Sequence, residues 1–446
     1  MVVSGSSVNG NGARPPRVAL VLPGGGARGA YEVGALSVLL PLLEARGERP
    51  TILCGTSVGA INAAALGSTA DRPAAEAVGM LTEHWRALRK SNVIKSVVGP
   101  GLPLTLLRGI GEALEIPGVR LAGLLDPAPL RRSLDAWIDW DALHRNVRHG
   151  VIDAACVVAT SLDRSAPVAF VDSSDRVPPS RPADPLQYVP AVLDGEHVRA
   201  SAAIPMLFPP VAIEHPAPLA GHYVDGGTRL NSPVSPALAL GADRVVVIGF
   251  QPFRARAELP IARRGVPRLA DSVANILDGL LVDQVVDDLH RLATINSFIV
   301  DAHGPGPRGA ADAYRAARGR KPYRRISYAL VAPERRGELA EIADEVFDRR
   351  YGGLKGWLRP DYPFMSRIVG GSRSPARGEL LSFLLFDEEH VERLVALGRR
   401  DAQRWIDRHP HLWCADASHD FDIDSGAVAS LREREAIDEW RTLKRR

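Results

Sequence analysis

The sequence predicts an α/β fold, a mainly parallel sheet with helices packed on both faces. Three observations carry this expectation. Apolar runs without polar alternation, at 17–22, 51–54 and 244–250, read as strands buried on both sides. The first two are each followed by small residues and then by a helical run, at 32–46 and 58–66. The resulting order of strand, loop, helix, strand, turn, helix is that of parallel strands joined by crossover helices.

The other elements follow from local pattern. A helix is expected over 74–90, where Met80, Leu81, Trp85 and Leu88 form an apolar face. Residues 96–125 are apolar but broken by Gly99, Pro100, Gly101, Pro103 and Pro117. That rules out a membrane span and suggests a cap over the core, or a surface offered to lipid. Asp126-Pro127 reads as a helix start, with the helix running to about residue 140. Paired strands are expected at 154–160 and 168–172, then a proline-rich loop at 177–190 and a helix at 192–203. A short strand at 222–224 and a helix at 235–240 precede the strand at 244–250. Beyond these come a long amphipathic helix at 267–300, a Gly/Pro/Arg-rich loop at 301–320, a last strand at 325–332 and a mainly helical remainder, notably 378–408. The expected organisation is a disordered leader over 1–16, a main α/β domain over 17–250 and a mainly helical region over 251–446 that packs on it.

Composition narrows the function classes. The chain has 446 residues, 46% hydrophobic and 24% charged, the balance of a globular protein with a large core. A net charge of +3 is too small to imply nucleic acid, although it permits contact with an anionic surface. The arginines at 254, 256, 263, 264 and 268 read as a solvated loop, with a membrane-surface contact as the alternative. Cys54, Cys156 and Cys414 are odd in number and widely spaced. Neither a disulfide framework nor a metal-type cysteine pair is expected, and a reducing compartment fits. Residues 1–16, rich in Gly, Ser and Asn, lack the basic start and apolar core of a signal peptide, so a cytoplasmic protein is expected.

The chemistry centres on the stretch from Pro50 to Ala70, in which no side chain is charged. Gly55-Thr56-Ser57-Val58-Gly59 has the G-x-S-x-G form between a strand and a helix, a turn that exposes a serine hydroxyl at the strand's end. Gly55 and Gly59 let the chain turn sharply. A serine nucleophile needs donors for the developing oxyanion. Gly24, Gly25, Gly26 and Gly29, with Arg28 between them, end the first strand and open a helix, where backbone N–H groups converge. The same glycines at 24, 26 and 29 match the dinucleotide-binding G-x-G-x-x-G. That fingerprint expects an acidic residue at the end of the next strand, and this strand ends in Cys54-Gly55-Thr56-Ser57. No lysine of a Walker loop follows. For the base, His215 and His222 lie nearest the strand-end region. Asp225, followed by Gly226 and Gly227, is equally readable as a plain turn aspartate or as a base.

Taken together these motifs resemble the bacterial branch of the patatin-like phospholipases. Gly24-Gly25-Gly26-Ala27-Arg28-Gly29 is similar to the family's oxyanion-hole motif, Gly55-Thr56-Ser57-Val58-Gly59 to its nucleophile elbow, and Asp225-Gly226-Gly227 to its catalytic aspartate motif. Ser201-Ala202-Ala203-Ile204-Pro205, Phe208-Pro209-Pro210, Asn231-Ser232-Pro233-Val234 and Gly241-Ala242-Asp243-Arg244 resemble flanking blocks. The likeness covers about 18–250, with a looser one through Leu380-Leu381-Ser382-Phe383-Leu384 and Gly398-Arg399-Arg400-Asp401-Ala402. Pro23 is a small departure.

The resemblance implies a three-layer α/β/α fold and a Ser57–Asp225 dyad that hydrolyses lipid or fatty-acyl esters through an acyl-enzyme. It implies no metal or cofactor, and Arg28 fixing the loop. A location in the cytoplasm with peripheral membrane contact fits. The alternatives are acyl transfer or thioesterase action with the same dyad, and a dinucleotide-dependent oxidoreductase using the 24–29 loop.

Overall fold

The computed structural model describes residues 15–88, 95–96, 125–126, 128–180, 184–205, 207–252, 325–351 and 375–414. The expected helix at 267–300, the loop at 301–320, the arginines at 254–268 and the interior of 96–125 lie outside the described residues. The ends of that last stretch pair with each other, Lys95 with Asp126 and Ser96 with Leu125.

The strands are β1 (Val18–Leu22), β2 (Ile52–Thr56), β3 (Ala154–Ser161), β4 (Ala166–Ser173), β5 (Gln187–Pro190), β6 (Val211–Ile213), β7 (Gly221–Asp225), β8 (Arg244–Ile248) and β9 (Ser327–Val331). They form a single nine-stranded sheet in the order β9-β8-β1-β2-β3-β4-β5, with β7 on β3 and β6 on β7. From β9 to β3 all neighbours are parallel. β4 turns back antiparallel on β3.

The apolar runs form central strands because both faces are covered. Along β1, Val18, Leu20 and Leu22 point into one core, while Ala19 and Val21 point into the other. The first core lies under α1 (Gly29–Ala45), α2 (Val58–Ser68), α3 (Ala74–Ala87), α4 (Ala128–Trp137), α5 (Trp140–Arg148) and α6 (Gly195–Ser201). The second lies under α7 (Val234–Ala239). The chain has the expected three-layer α/β/α architecture. Its later helices are α8 (Glu338–Tyr351), α9 (Pro375–Leu384) and α10 (Glu388–Arg408). α10 lies against α1 closely enough that a Cβ on Gly34 would come within 2.1 Å of the Val395 carbonyl oxygen. Among the described residues no helix is long and apolar enough to cross a membrane.

Several boundaries differ from expectation for local reasons. α1 begins at Gly29 rather than near residue 32, because the preceding turn, Gly26–Arg28, is already helical. The helix expected to run to residue 140 stops at Trp137, and a second helix starts at Trp140, where the Asp139 carboxylate accepts from the Ala142 N–H at 2.9 Å. The proline-rich loop holds an edge strand, Gln187–Pro190, parallel to β4, with its proline at the strand's end where no ladder donor is needed. The 378–408 helix is interrupted before Asp387, which caps α10 through the Glu389 N–H. The short strand Val211–Ile213 has too few residues to leave a periodic signal.

Candidate active site

The site begins with the pairing of β3. One edge of this strand is occupied along its length by β4. The other edge is shared. β2 pairs with it up to Thr56 opposite Val158, and β7 arrives from the other direction and ends with Asp225 opposite Ala159. The two strand ends therefore meet head-on at consecutive residues of β3. Ser57, the next residue after β2, and Asp225, the last of β7, converge there.

Ser57 occupies a strained turn, with φ 53° and ψ −123°. A positive φ is unfavourable for a residue with a side chain and persists only where its surroundings enforce it. Here the Ser57 N–H donates to Ser201 Oγ at 2.8 Å, and that hydroxyl donates to the Val158 carbonyl at 2.5 Å. The Ser57 carbonyl accepts from the Ala60 and Ile61 N–H groups of α2. The turn also needs Gly59, whose Cβ would lie 2.1 Å from the Leu22 carbonyl oxygen. α2 has no side-chain cap, so its first N–H groups and positive dipole end stay turned toward Ser57.

Asp225 is wholly buried. Its N–H donates to the Ala203 carbonyl at 2.9 Å, and its Oδ1 accepts from the Gly227 N–H at 2.7 Å. Oδ2 is buried and meets no donor in hydrogen-bond geometry among the described residues. Burial pushes the carboxyl up to about 7, against the opposing pull of the Ser57 hydroxyl and the Gly227 N–H. Such a carboxyl can accept and return a proton near neutral pH. His215 and His222 are both exposed, and no histidine bonds to Ser57 or Asp225 among the described residues.

The glycine loop lies beside the serine, and a Cβ on Gly24 would come within 2.9 Å of Ser57 Cβ. The Gly24 N–H is occupied. It donates to Asn231 Oδ1 at 2.9 Å, and Asn231 Nδ2 donates back to the Gly24 carbonyl at 3.3 Å. The N–H groups of Gly25 and Gly26 have no acceptor among the described residues. Phe250 packs against Gly25 and the Phe383 carbonyl against Gly26. Arg28 is buried, ion-paired with Glu379 and hydrogen-bonded to Ser382, both on α9.

Ser57 and Gly26 open onto a pocket lined almost wholly by apolar side chains, including Trp85, Leu130, Trp137, Phe208 and Phe383. It measures about 660 Å³ counted out to its open mouth. One wall, Trp85, is fixed from behind. Its indole N–H donates to Asn62 Oδ1 at 2.9 Å, and Asn62 Nδ2 donates to Glu32 Oε2 at 2.7 Å.

Glu32 is fully buried, its Oε1 has no partner among the described residues, and burial holds its carboxyl well above the usual range. The folded state therefore keeps a proton that the unfolded chain releases, and stability falls as pH rises through that window. Glu32→Gln is expected to remove this dependence. Its melting temperature should exceed that of wild type at about pH 8 and approach it near pH 4. Parallel pH profiles for the two proteins would contradict the buried neutral acid.

Sequence reasoning singled out Ser57, Asp225 and the glycines, and the fold brings these together. It assigned no role to Ser201 or Asn231, the side chains that hold the Ser57 N–H and the Gly24 amide. Both lie within blocks that the family resemblance marks, which is the signal that could have found them.

A strained serine turn at the carboxyl end of a parallel strand thus faces a buried carboxyl in an α/β sheet protein. Residues 20–238 match the family model described as patatin-like phospholipase, and this segment of the chain belongs to that family. Lipid acyl hydrolysis in general is the activity that membership supports. Among solved structures the chain is similar to the crystal structure of VipD from Legionella pneumophila, at 14% identity and a TM-score of 0.30, over 89% of this chain and 68% of that one. A search of curated proteins returns no match.

Proposed function

We propose that the chain is a serine lipid acyl hydrolase of the phospholipase A or lysophospholipase type, with Ser57 as nucleophile and Asp225 as base. One observation carries the reading: β2 and β7 end against each other on β3, so the strained serine meets a buried carboxyl at the mouth of an apolar pocket.

Ser57 Oγ attacks the ester carbonyl carbon while its proton passes to Asp225 Oδ2. The Gly25 and Gly26 N–H groups, with the amino end of α2, receive the oxyanion. As the tetrahedral centre collapses, Asp225 returns the proton to the leaving alcohol, and the acyl group stays on Ser57. A water molecule, deprotonated by Asp225, then attacks the acyl carbon, and Asp225 passes that proton to Ser57 Oγ as the acyl–oxygen bond breaks and the fatty acid leaves. The apolar pocket suits an acyl chain, whose burial contributes about 0.8 kcal/mol per methylene. Peripheral contact with a lipid surface belongs to the same proposal.

The base must be ionised, and its pKa lies near 7. kcat/KM is expected to rise with pH through about 7 and to fall roughly tenfold per unit below it, reaching about 1% of the plateau near pH 5. A flat profile between pH 5 and 8 would exclude Asp225 as the base.

The decisive experiment is mass spectrometry of products from a panel of phospholipids, lysophospholipids and neutral esters, with Ser57→Ala as the blank. Free fatty acid and a deacylated lipid from wild type alone support hydrolysis. Acyl transfer to an added alcohol without fatty-acid release would replace hydrolase by transferase. Hydrolysis by the variant at the wild-type rate would remove Ser57 from the mechanism.

A further inference from the structure

We propose that α9 (Pro375–Leu384), far outside the family-matched segment, is a working part of the active site, with Glu379 and Ser382 as positioning residues. They would act through Arg28 on the Gly25–Gly26 amides. The inference rests on the reading of Ser57 as nucleophile and of the glycine loop as oxyanion donor.

The argument starts from Arg28. Its side chain is only 1% exposed, and a buried guanidinium must have its donors satisfied. Among the described residues all of its side-chain acceptors come from α9. Arg28 Nε donates to Ser382 Oγ at 2.8 Å and Nη2 to the same oxygen at 2.6 Å, while Nη2 also pairs with the Glu379 carboxylate. Ser382 Oγ in turn donates to the Glu379 carbonyl at 2.6 Å, which fixes the orientation of the hydroxyl. The guanidinium carbon stacks 3.9 Å from the centre of the Phe383 ring. One arginine is thus gripped by an acid, a hydroxyl and an aromatic face on a single turn of helix.

The grip passes directly into the loop. Arg28 closes the Gly26–Arg28 turn, and its own N–H donates to the Gly25 carbonyl at 3.1 Å. Gly26 has φ +56°, and a Cβ there would lie 2.4 Å from the Phe383 carbonyl oxygen, so the loop backbone rests on the backbone of α9. Phe383 and Leu384 then continue into the pocket wall that Ser57 and Gly26 share. Fixing Arg28 fixes the turn, and the turn sets the direction of the two amides. Oxyanion donors act by preorganisation, and misplacement by about 1 Å can lower a rate about a hundredfold.

The test uses the full-length chain, p-nitrophenyl butyrate as substrate, and the variants Glu379→Gln, Ser382→Ala and Ser57→Ala. Glu379→Gln keeps the shape and one acceptor, which favours folding, and Ser382→Ala removes the shared hydroxyl. Each is expected to lower kcat at least tenfold with KM changed less than about threefold, in protein whose thermal melt shows it folded at the assay temperature. A kcat at the wild-type level in both clamp variants would overturn the proposal, as would a loss that appears only in KM or only in proportion to the unfolded fraction. If Ser57→Ala is inactive while both clamp variants run normally, the nucleophile reading stands and the α9 proposal alone falls. If Ser57→Ala hydrolyses the ester as wild type does, both fall.

Discussion

Asp225→Asn is expected to slow ester hydrolysis about 10³-fold at pH 8 while leaving the protein folded, and more stable than wild type. The two effects have the same origin. Asparagine keeps an oxygen for the Gly227 N–H that now reaches Oδ1 at 2.7 Å. In the place of Oδ2 it puts an NH2 group, which can donate to the Ser57 hydroxyl but cannot take its proton. The catalytic function is lost without loss of shape.

The stability gain follows from linkage. The folded-state pKa of Asp225 is raised by burial to about 7, so the folded chain retains a proton that the unfolded chain gives up near pH 4. Stability contributed by the protonated acid is present in full below the unfolded value and declines as pH rises through about 7. At pH 8 the ionised form costs up to about 4 kcal/mol, which the neutral amide avoids. Denaturant melts of both proteins at pH 4 and pH 8 check this. The gap should open at the higher pH, and a variant less stable at pH 8 would mean that the carboxylate is compensated there.

Ser57→Ala is expected to lose about 10⁴-fold or more in kcat, and the double variant with Asp225→Asn to be no slower than Ser57→Ala alone. Residues that act as one unit are not additive, because once the nucleophile is gone the base has no proton to take. Losses that multiply would show that the two groups act in separate steps. The alanine also keeps the strained φ of 53° without its hydroxyl, so the backbone should persist as long as Ser201 holds the Ser57-position N–H.

The fold was legible in the sequence where burial is complete. β1, β2 and β8 contain no polar alternation because both faces meet side chains, and such runs are conspicuous. The edge strands β5 and β6 were not legible, since they are short and one of them holds a proline. The same division applies to the site. Gly55 and Gly59 stand where backbones approach too closely for a Cβ, and Gly24 where the Asn231 and Ser57 side chains do, a demand that leaves a local mark. Ser201, Asn231 and Glu379 meet their partners across 144, 207 and 351 positions of sequence, and a hydrogen bond over such a distance leaves no pattern in either segment. Glu32 was equally silent, since a glutamate in the first turn of a helix ordinarily reads as a solvated charge favourable to the dipole.

The shared edge of β3 also bears on how such a site could be lost or kept. Val158 and Ala159 set the meeting point of Thr56 and Asp225 through their backbones, so their side chains are free to vary within the limits of the core. The vulnerable quantity is the phase of β7. A slip of one residue would move the chain by about 3.3 Å and turn the carboxyl to the opposite face of the sheet. A single insertion or deletion between Gly221 and Asp225 would therefore silence the enzyme while every motif residue remained in place. In a comparison of sequences, the length of β7 is a better sign of a working site than the identity of any residue on β3.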